Sequence, residues 1–345
     1  MTRFSVRNRW NRSAERACGV EMRSRGCFLL VSLLASLAAS AQVISYSEFN
    51  VAGPKIGDAA KLMSQARKGE ITSQFRLALA YEKGEGLTQD YSEALRWYAL
   101  AANHGDAAAQ NNLGLMYAHG RGVAADDAQA VKWYMRAAVQ NYAAAETNLG
   151  FMYALGRGIA KDDVAAVRWY RKAAEQGFVA AESNLGFMYS VGRGVAQDDK
   201  EAVRWYKRAA DKKFAAAEDN LGLMYAKGRG LKQDAEEALR LFHRAIEHGS
   251  GSAANNLGFV YELGLGVRQD LAEAAKWYRM AADRGVTQAQ YNLGLMYARG
   301  RGVAADPVQA RYWLERSGVD PNGGEAGVAL SSLEKHPSPP PSGIQ

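Results

Sequence analysis

The chain of 345 residues is 48% hydrophobic and 23% charged, with a formal net charge of +7 and two cysteines. Taken whole, that charge suggests a polyanion-binding surface and the cysteines suggest a disulfide. Neither reading survives a look at where these residues sit.

The N-terminus is basic, with Arg3, Arg7, Arg9, Arg12, Arg16, Arg23 and Arg25, and an apolar run from Cys27 to Ala39 follows. Ala39-Ser40-Ala41 then gives a small-residue exit, so residues 1–41 read as a secretory signal cleaved after Ala41, with Gln42 the first mature residue. The run of 13 residues is shorter than the ~20 that span a bilayer, so no transmembrane span is expected after cleavage. A start at Met22 would leave a more compact leader of 20 residues. Seven arginines and two glutamates put +5 of the +7 in this leader, leaving +2. Cys18 and Cys27 leave with it, and Arg25-Gly26-Cys27 lacks the apolar residues of a lipoprotein signal. The expected product is a soluble periplasmic or secreted protein with no nucleic-acid footprint, disulfide, thiolate nucleophile or cysteine metal site.

Residues 42–69 read as a tail closed by Pro54 and one capping helix over Lys55–Lys68. From 70 to 318 the sequence repeats every 36 residues, placing Tyr81, Tyr117, Tyr153, Tyr189, Tyr225, Tyr261 and Tyr297 in one column. Seven units begin near Glu70, Asp106, Tyr142, Phe178, Phe214, Ser250 and Val286. Each carries two helical patterns: in the second unit, helix A over Ala107–His119 and helix B over Asp127–Gln140.

Asp90, Asp126, Asp162, Asp198, Asp234, Asp270 and Asp306 stand at the start of helix B. Most have Glu or Gln three residues on, the pattern of a capping box, which Ala165 breaks. G-x-G pairs such as Gly120/Gly122 end helix A, and a glycine inside it (Gly114, Gly150, Gly186, Gly222, Gly258, Gly294) predicts close backbone approach to the alanines of helix B. The Trp column (Trp97, Trp133, Trp169, Trp205, Trp277, Trp313) is expected between units. Leu241, Ile246 and Leu265 break the pattern and predict an altered seam. Residues 319–345 read as a short capping helix over Glu325–Lys335 and a Pro-rich disordered tail.

The unit A-x-x-N-L-G-x-M-Y-x-x-G-x-G-V-x-x-D-x-x-x-A-x-x-W-Y-x-x-A-A, as at Ala109–Ala138, resembles the Sel-one-like repeat, a relative of the tetratricopeptide repeat. The resemblance implies an all-α, right-handed α-solenoid whose members act as adaptors. Exported bacterial members resemble envelope scaffolds, regulators of sensor proteins and accessory parts of polysaccharide secretion. A cysteine-rich branch with β-lactam-binding or hydrolysing activity is disfavoured here because both cysteines leave with the signal.

No reaction centre stands out: the G-x-G loops follow helices rather than strands, and His104, His119, His243, His248 and His336 show no metal-ligand spacing. No cofactor or metal is expected. In Asp126/Asp127, Asp162/Asp163 and Asp198/Asp199, one acid is taken by capping. The Asn column (Asn112, Asn148, Asn184, Asn220, Asn256, Asn292) is expected to make inter-helix hydrogen bonds, a peptide-clamping ladder being the alternative. The column before it, Asn111, Thr147, Ser183, Asp219, Asn255 and Tyr291, is polar and varies from unit to unit. It is the candidate partner-binding groove on the concave face of a non-enzymatic protein-binding scaffold. The alternative is an anionic envelope polymer held by a convex basic ridge. That ridge would combine Lys132/Arg136, Arg168/Lys172, Arg204/Arg208 and Arg240/Arg244 with the loop residues Arg121, Arg157, Arg193 and Arg229.

Overall fold

The computed structural model describes residues 59–321 and 323–335; the expected signal and the Pro-rich tail lie outside them. Sixteen α-helices and no strand occur among the described residues. Helix α1 (Ala59–Arg67) precedes seven hairpins, each an A helix followed by a B helix. Repeats 1 to 3 are α2 (Ile71–Lys83) with α3 (Tyr91–Asn103), α4 (Ala107–His119) with α5 (Asp127–Ala138), and α6 (Ala143–Leu155) with α7 (Asp163–Glu175). Repeats 4 and 5 are α8 (Val179–Val191) with α9 (Asp199–Asp211) and α10 (Ala215–Lys227) with α11 (Ala235–Glu247). Repeats 6 and 7 are α12 (Gly251–Leu263) with α13 (Leu271–Asp283) and α14 (Thr287–Arg299) with α15 (Pro307–Arg316). Each B helix packs on its own A helix and on that of the next repeat, and α16 (Gly324–Lys335) lies against α14 and α15. The molecule is therefore an α-solenoid, in which every unit buries its apolar face against neighbours.

Helix B starts where its N-terminal donors find an acceptor: Asp126 accepts from the Gln129 amide at 2.9 Å, and Asp90, Asp162, Asp198, Asp234, Asp270 and Asp306 do likewise. The reciprocal half of the capping box does not form. The Asp126 amide that a box would give to Gln129 donates instead to the Tyr117 carbonyl at 2.9 Å, and the same bond recurs from Asp162 to Tyr153 and from Asp198 to Tyr189. The acids at the third position turn outward instead, Glu201 to Arg204 and Glu237 to Arg240.

The mid-helix glycine also has a different reason from the one expected. A Cβ on Gly114 would stand 2.6 Å from the Tyr134 ring and 3.2 Å from the Ala130 carbonyl. The glycine makes room for an aromatic ring, more than for an alanine-lined backbone. The second glycine of the loop does the close backbone work, since a Cβ on Gly158 would run into the Asp127 carbonyl of the preceding repeat. Of the Trp column, Trp97, Trp205 and Trp313 are buried and the others half-buried.

Repeats 2 to 5 are tied one to the next by the loop arginine. Arg157 holds Asp127 through Nη2 at 2.6 Å and Nε at 3.0 Å, and donates to the Ala118 carbonyl at 3.4 Å. Arg193 with Asp163 and Arg229 with Asp199 repeat the pattern. The second acid of each Asp-Asp pair thus belongs to the repeat boundary. Where repeats 5 and 6 meet, both partners are missing together, Ala235 for the Asp and Leu265 for the Arg. That seam is held differently: Asp219 accepts from Ser252 at 2.7 Å and Asn256 at 2.8 Å, and His243 meets the Trp277 ring edge-on.

Candidate functional site

Helix A was expected to offer the Asn111 column to a partner, and the structure corrects this. Asn111 is 0% exposed; Thr147, Ser183, Asp219 and Asn255 are buried too, and Tyr291 is half-buried. The column faces the next repeat instead. The Asn148 amide donates to the Asn111 carbonyl oxygen at 2.9 Å, Asn256 to Asp219 at 2.8 Å and Asn292 to Asn255 at 3.2 Å. At the N-terminal end the network runs on through Asn111 to Asn112 (3.2 Å), Asn112 to the Tyr98 hydroxyl (3.1 Å) and Tyr98 to Glu82 (2.7 Å). The pattern misled because an amide at 111 is polar enough for solvent yet is needed to satisfy its buried neighbour. Burial and desolvation push the Asp219 carboxyl up to about 6, against the hydrogen bonds from its hydroxyl and amide partners.

The basic ridge is corrected as well. Three of its four second members, Lys172, Arg208 and Arg244, turn inward onto a column of buried acids that the sequence reading passed over. Lys172 meets Glu146 at 3.0 Å, Arg208 and Lys212 meet Glu182 at 3.0 and 2.9 Å, and Arg244 meets Glu218 at 2.6 Å. The same cations cap the previous B helix, as Arg208 does at the Ala174 carbonyl. His248 lies 2.6 Å from Glu218. Arg204 and Arg240 pair on the surface with Glu201 and Glu237, Arg121 lies 3.4 Å from Glu82, and the other loop arginines are bound as described. Most of the ridge is therefore charge-compensated and engaged within the fold. One signal was available: Glu146, Glu182 and Glu218 also recur at 36 residues, on the stripe that faces helix B.

What remains accessible and variable is the last residue of each A helix: Lys83, His119, Leu155, Val191, Lys227, Leu263 and Arg299, all half-buried or exposed. One turn earlier stands an apolar column that is covered at Leu79, Leu115, Phe151 and Phe187 and half-open at Leu223, Phe259 and Leu295. Lys227 bridges the two columns, its ammonium 5.6 Å from the Phe259 ring centroid of the next repeat. Repeats 5 to 7 thus present a strip of apolar side chains edged by changing ones. Among the described residues no group of three or more His, Cys, Asp or Glu could hold a metal ion, and no helix is long and apolar enough to cross a membrane.

The fold and this strip define a helical-repeat scaffold protein. Seven consecutive matches to the Sel1 repeat family model cover 71–106, 107–142, 143–178, 179–214, 215–250, 251–286 and 287–318. The chain belongs to the Sel1 repeat family. Among solved structures it is similar to a protective antigen with an SLR fold present in uropathogenic Escherichia coli strains, at 36% identity and a TM-score of 0.61, over 80% of this chain and 60% of that one. The chain thus spans less than two thirds of that antigen. It is also similar to a Sel1 repeat protein from Oxalobacter formigenes, at 35% identity and a TM-score of 0.63, over 70% of this chain and 96% of that one. Comparison with curated proteins returned no match. Sel1 repeat proteins generally mediate protein–protein interaction as non-catalytic scaffolds.

Proposed function

We propose that the protein is an exported adaptor of the bacterial cell envelope, periplasmic or secreted, that holds a protein or peptide partner along the A-helix strip of repeats 5 to 7. One observation carries this reading: the recurring polar residues hold the array together, while the exposed end of helix A changes from Lys to His to Leu to Arg. A column that stays accessible and varies between repeats is where a partner selects residues. Export is supported by the leader pattern of residues 1–41. The half-open Leu223, Phe259 and Leu295 supply the apolar area that gives such contacts their affinity.

The test is capture of envelope proteins by the mature chain and by a variant carrying Leu263→Glu and Arg299→Glu, both at exposed positions of the strip, Leu263 being 47% exposed. Loss of a discrete partner from the variant is expected. Equal recovery of every protein by the two forms rules out the strip. N-terminal sequencing of the exported protein should begin at Gln42, and an uncleaved leader would refute the export reading.

A further inference from the structure

Between the A helices of repeats 4 and 5 and helix α9 lies a small cavity lined by Ser190, Tyr206, Asn220, Met224, Lys227 and Arg229, among others. It has room for a single water-sized atom. It lies beside a broken rung of the asparagine ladder. Asn220 should donate to position 183, as Asn148 does to Asn111, but Ser183 is too short and its hydroxyl is itself without a partner. The Asn220 side chain, 4% exposed, makes no hydrogen bond among the described residues and lines the cavity.

Lys227 stands at the other end of the same helical stripe. No carboxylate lies within ion-pair distance of it among the described residues, whereas Arg229 and Arg244 each have one. Arg229 is occupied by Asp199 at 2.6 and 3.0 Å, and Asp219 is committed to Ser252 and Asn256. Burial, with the like charge of Arg229 added, lowers the Lys227 ammonium to about 8. It therefore remains a cation at neutral pH, desolvated and uncompensated.

A half-buried cation from the strip assigned to a partner and an unspent amide donor beneath it both line a void of one oxygen's size, which suits a hydrogen-bond acceptor. We propose that this cavity receives one carboxylate oxygen of a polypeptide, paired with the Lys227 ammonium and accepting from the Asn220 amide. The inference rests on the protein-binding reading above and gives its chemistry: the partner places an acidic side chain or its C-terminal carboxylate at repeat 5. Lys227 then acts as the specificity-determining residue of the strip, because repeats 3 and 6 carry Leu155 and Leu263 in its place.

The full mature chain, 13C-labelled at lysine, would be titrated while the Lys227 Cε–Hε signal is followed, that signal being assigned by its loss in Lys227→Leu. Leucine is what repeats 3 and 6 carry at this position, so the variant should fold. Acetate should shift the Lys227 signal saturably in the millimolar range. Acetyl-Gly-Glu-Gly-amide and acetyl-Gly-Gly-Gly with a free C-terminus distinguish the two carboxylate sources, and saturation by either supports the proposal. A response to acetyl-Gly-Gln-Gly-amide as strong as to the glutamate peptide overturns it. So does an acetate shift that rises linearly and is shared with the exposed Lys232, the sign of a cavity filled by water alone. Saturation by acetate but by neither peptide overturns the polypeptide occupant. Loss of partner capture in the Leu263→Glu, Arg299→Glu variant is read independently, since neither residue lines the cavity.

Discussion

The Asn148 side-chain amide donates to the Asn111 side-chain oxygen at 2.9 Å, across the boundary between repeats 2 and 3. Both residues are buried, so the N–H and the oxygen that meet here have no water to turn to. This makes the column at 111 a fastening between repeats.

Replacing Asn111 by leucine leaves Asn148 buried with an unmet donor and is expected to cost about 1–3 kcal/mol. Urea unfolding of the variant should show the loss as a lower midpoint with an unchanged slope. A variant as stable as the parent would return Asn111 to the surface role first expected of it.

A second test concerns Glu182, 0% exposed at its side chain and held by Arg208 at 3.0 Å and Lys212 at 2.9 Å. Changing both cations to methionine strands a buried carboxylate and should cost about 3 kcal/mol. Adding Glu182→Met should restore most of that loss, because the cost lies in the unpaired charge more than in the missing attraction. Removing the surface pair Arg204–Glu201 should change stability by about 0–1 kcal/mol. Denaturant midpoints of the four chains check the order.

Much of the fold was legible because a period of 36 residues repeats every constraint seven times, so the caps at Asp126 and its equivalents and the glycine that ends helix A could be read directly. The binding surface was not legible by the same rule. A polar residue beside an apolar stripe reads the same in sequence whether it meets water or another repeat. Asn111 meets Asn148, 37 residues away, and Arg157 meets Asp127, 30 residues away. Such partners are visible in sequence only as paired changes, and one exists: Ala235 and Leu265 replace the acid and the arginine at one boundary. The variable ends of the A helices were equally present in the sequence, but their accessibility depends on how consecutive A helices pack.

The repeat 5–6 seam should respond to pH through Asp219. Its carboxyl is raised to about 6 in the folded chain from an ordinary value of 3.8, so the folded state binds this proton more tightly than the unfolded one. Its contribution is fully present below about 3.8 and is lost as pH rises through about 6. Relative to Asp219→Asn, the parent should gain about 2–3 kcal/mol between pH 7 and pH 4. Urea midpoints of the two chains at several pH values measure the difference, and parallel curves would contradict it.

The buried tyrosines of the B helices, Tyr98, Tyr134, Tyr170, Tyr206 and Tyr278, supply the sharpest contrast, because one residue type sits in two chemical settings. Tyr98 donates to Glu82 at 2.7 Å and accepts from Asn112 at 3.1 Å, and Tyr278 donates to Glu262 at 2.8 Å. In repeats 2 and 3 the acid is replaced by Ala118 and Ala154, and the buried hydroxyls of Tyr134 and Tyr170 have no partner. There the loop arginine turns to the main-chain carbonyls of those same alanines. A buried hydroxyl without a partner loses its hydration for nothing in return. Tyr134→Phe should therefore leave stability unchanged or raise it by up to about 1 kcal/mol, whereas Tyr98→Phe strands Asn112 and Glu82 and should cost about 1–3 kcal/mol. Repeat 5 already carries the exchange: Phe242 occupies this position, fully buried, opposite Ala226. Thermal and urea unfolding of the two single variants decide the matter, and equal losses in both would show that the Tyr134 hydroxyl is satisfied by bound water.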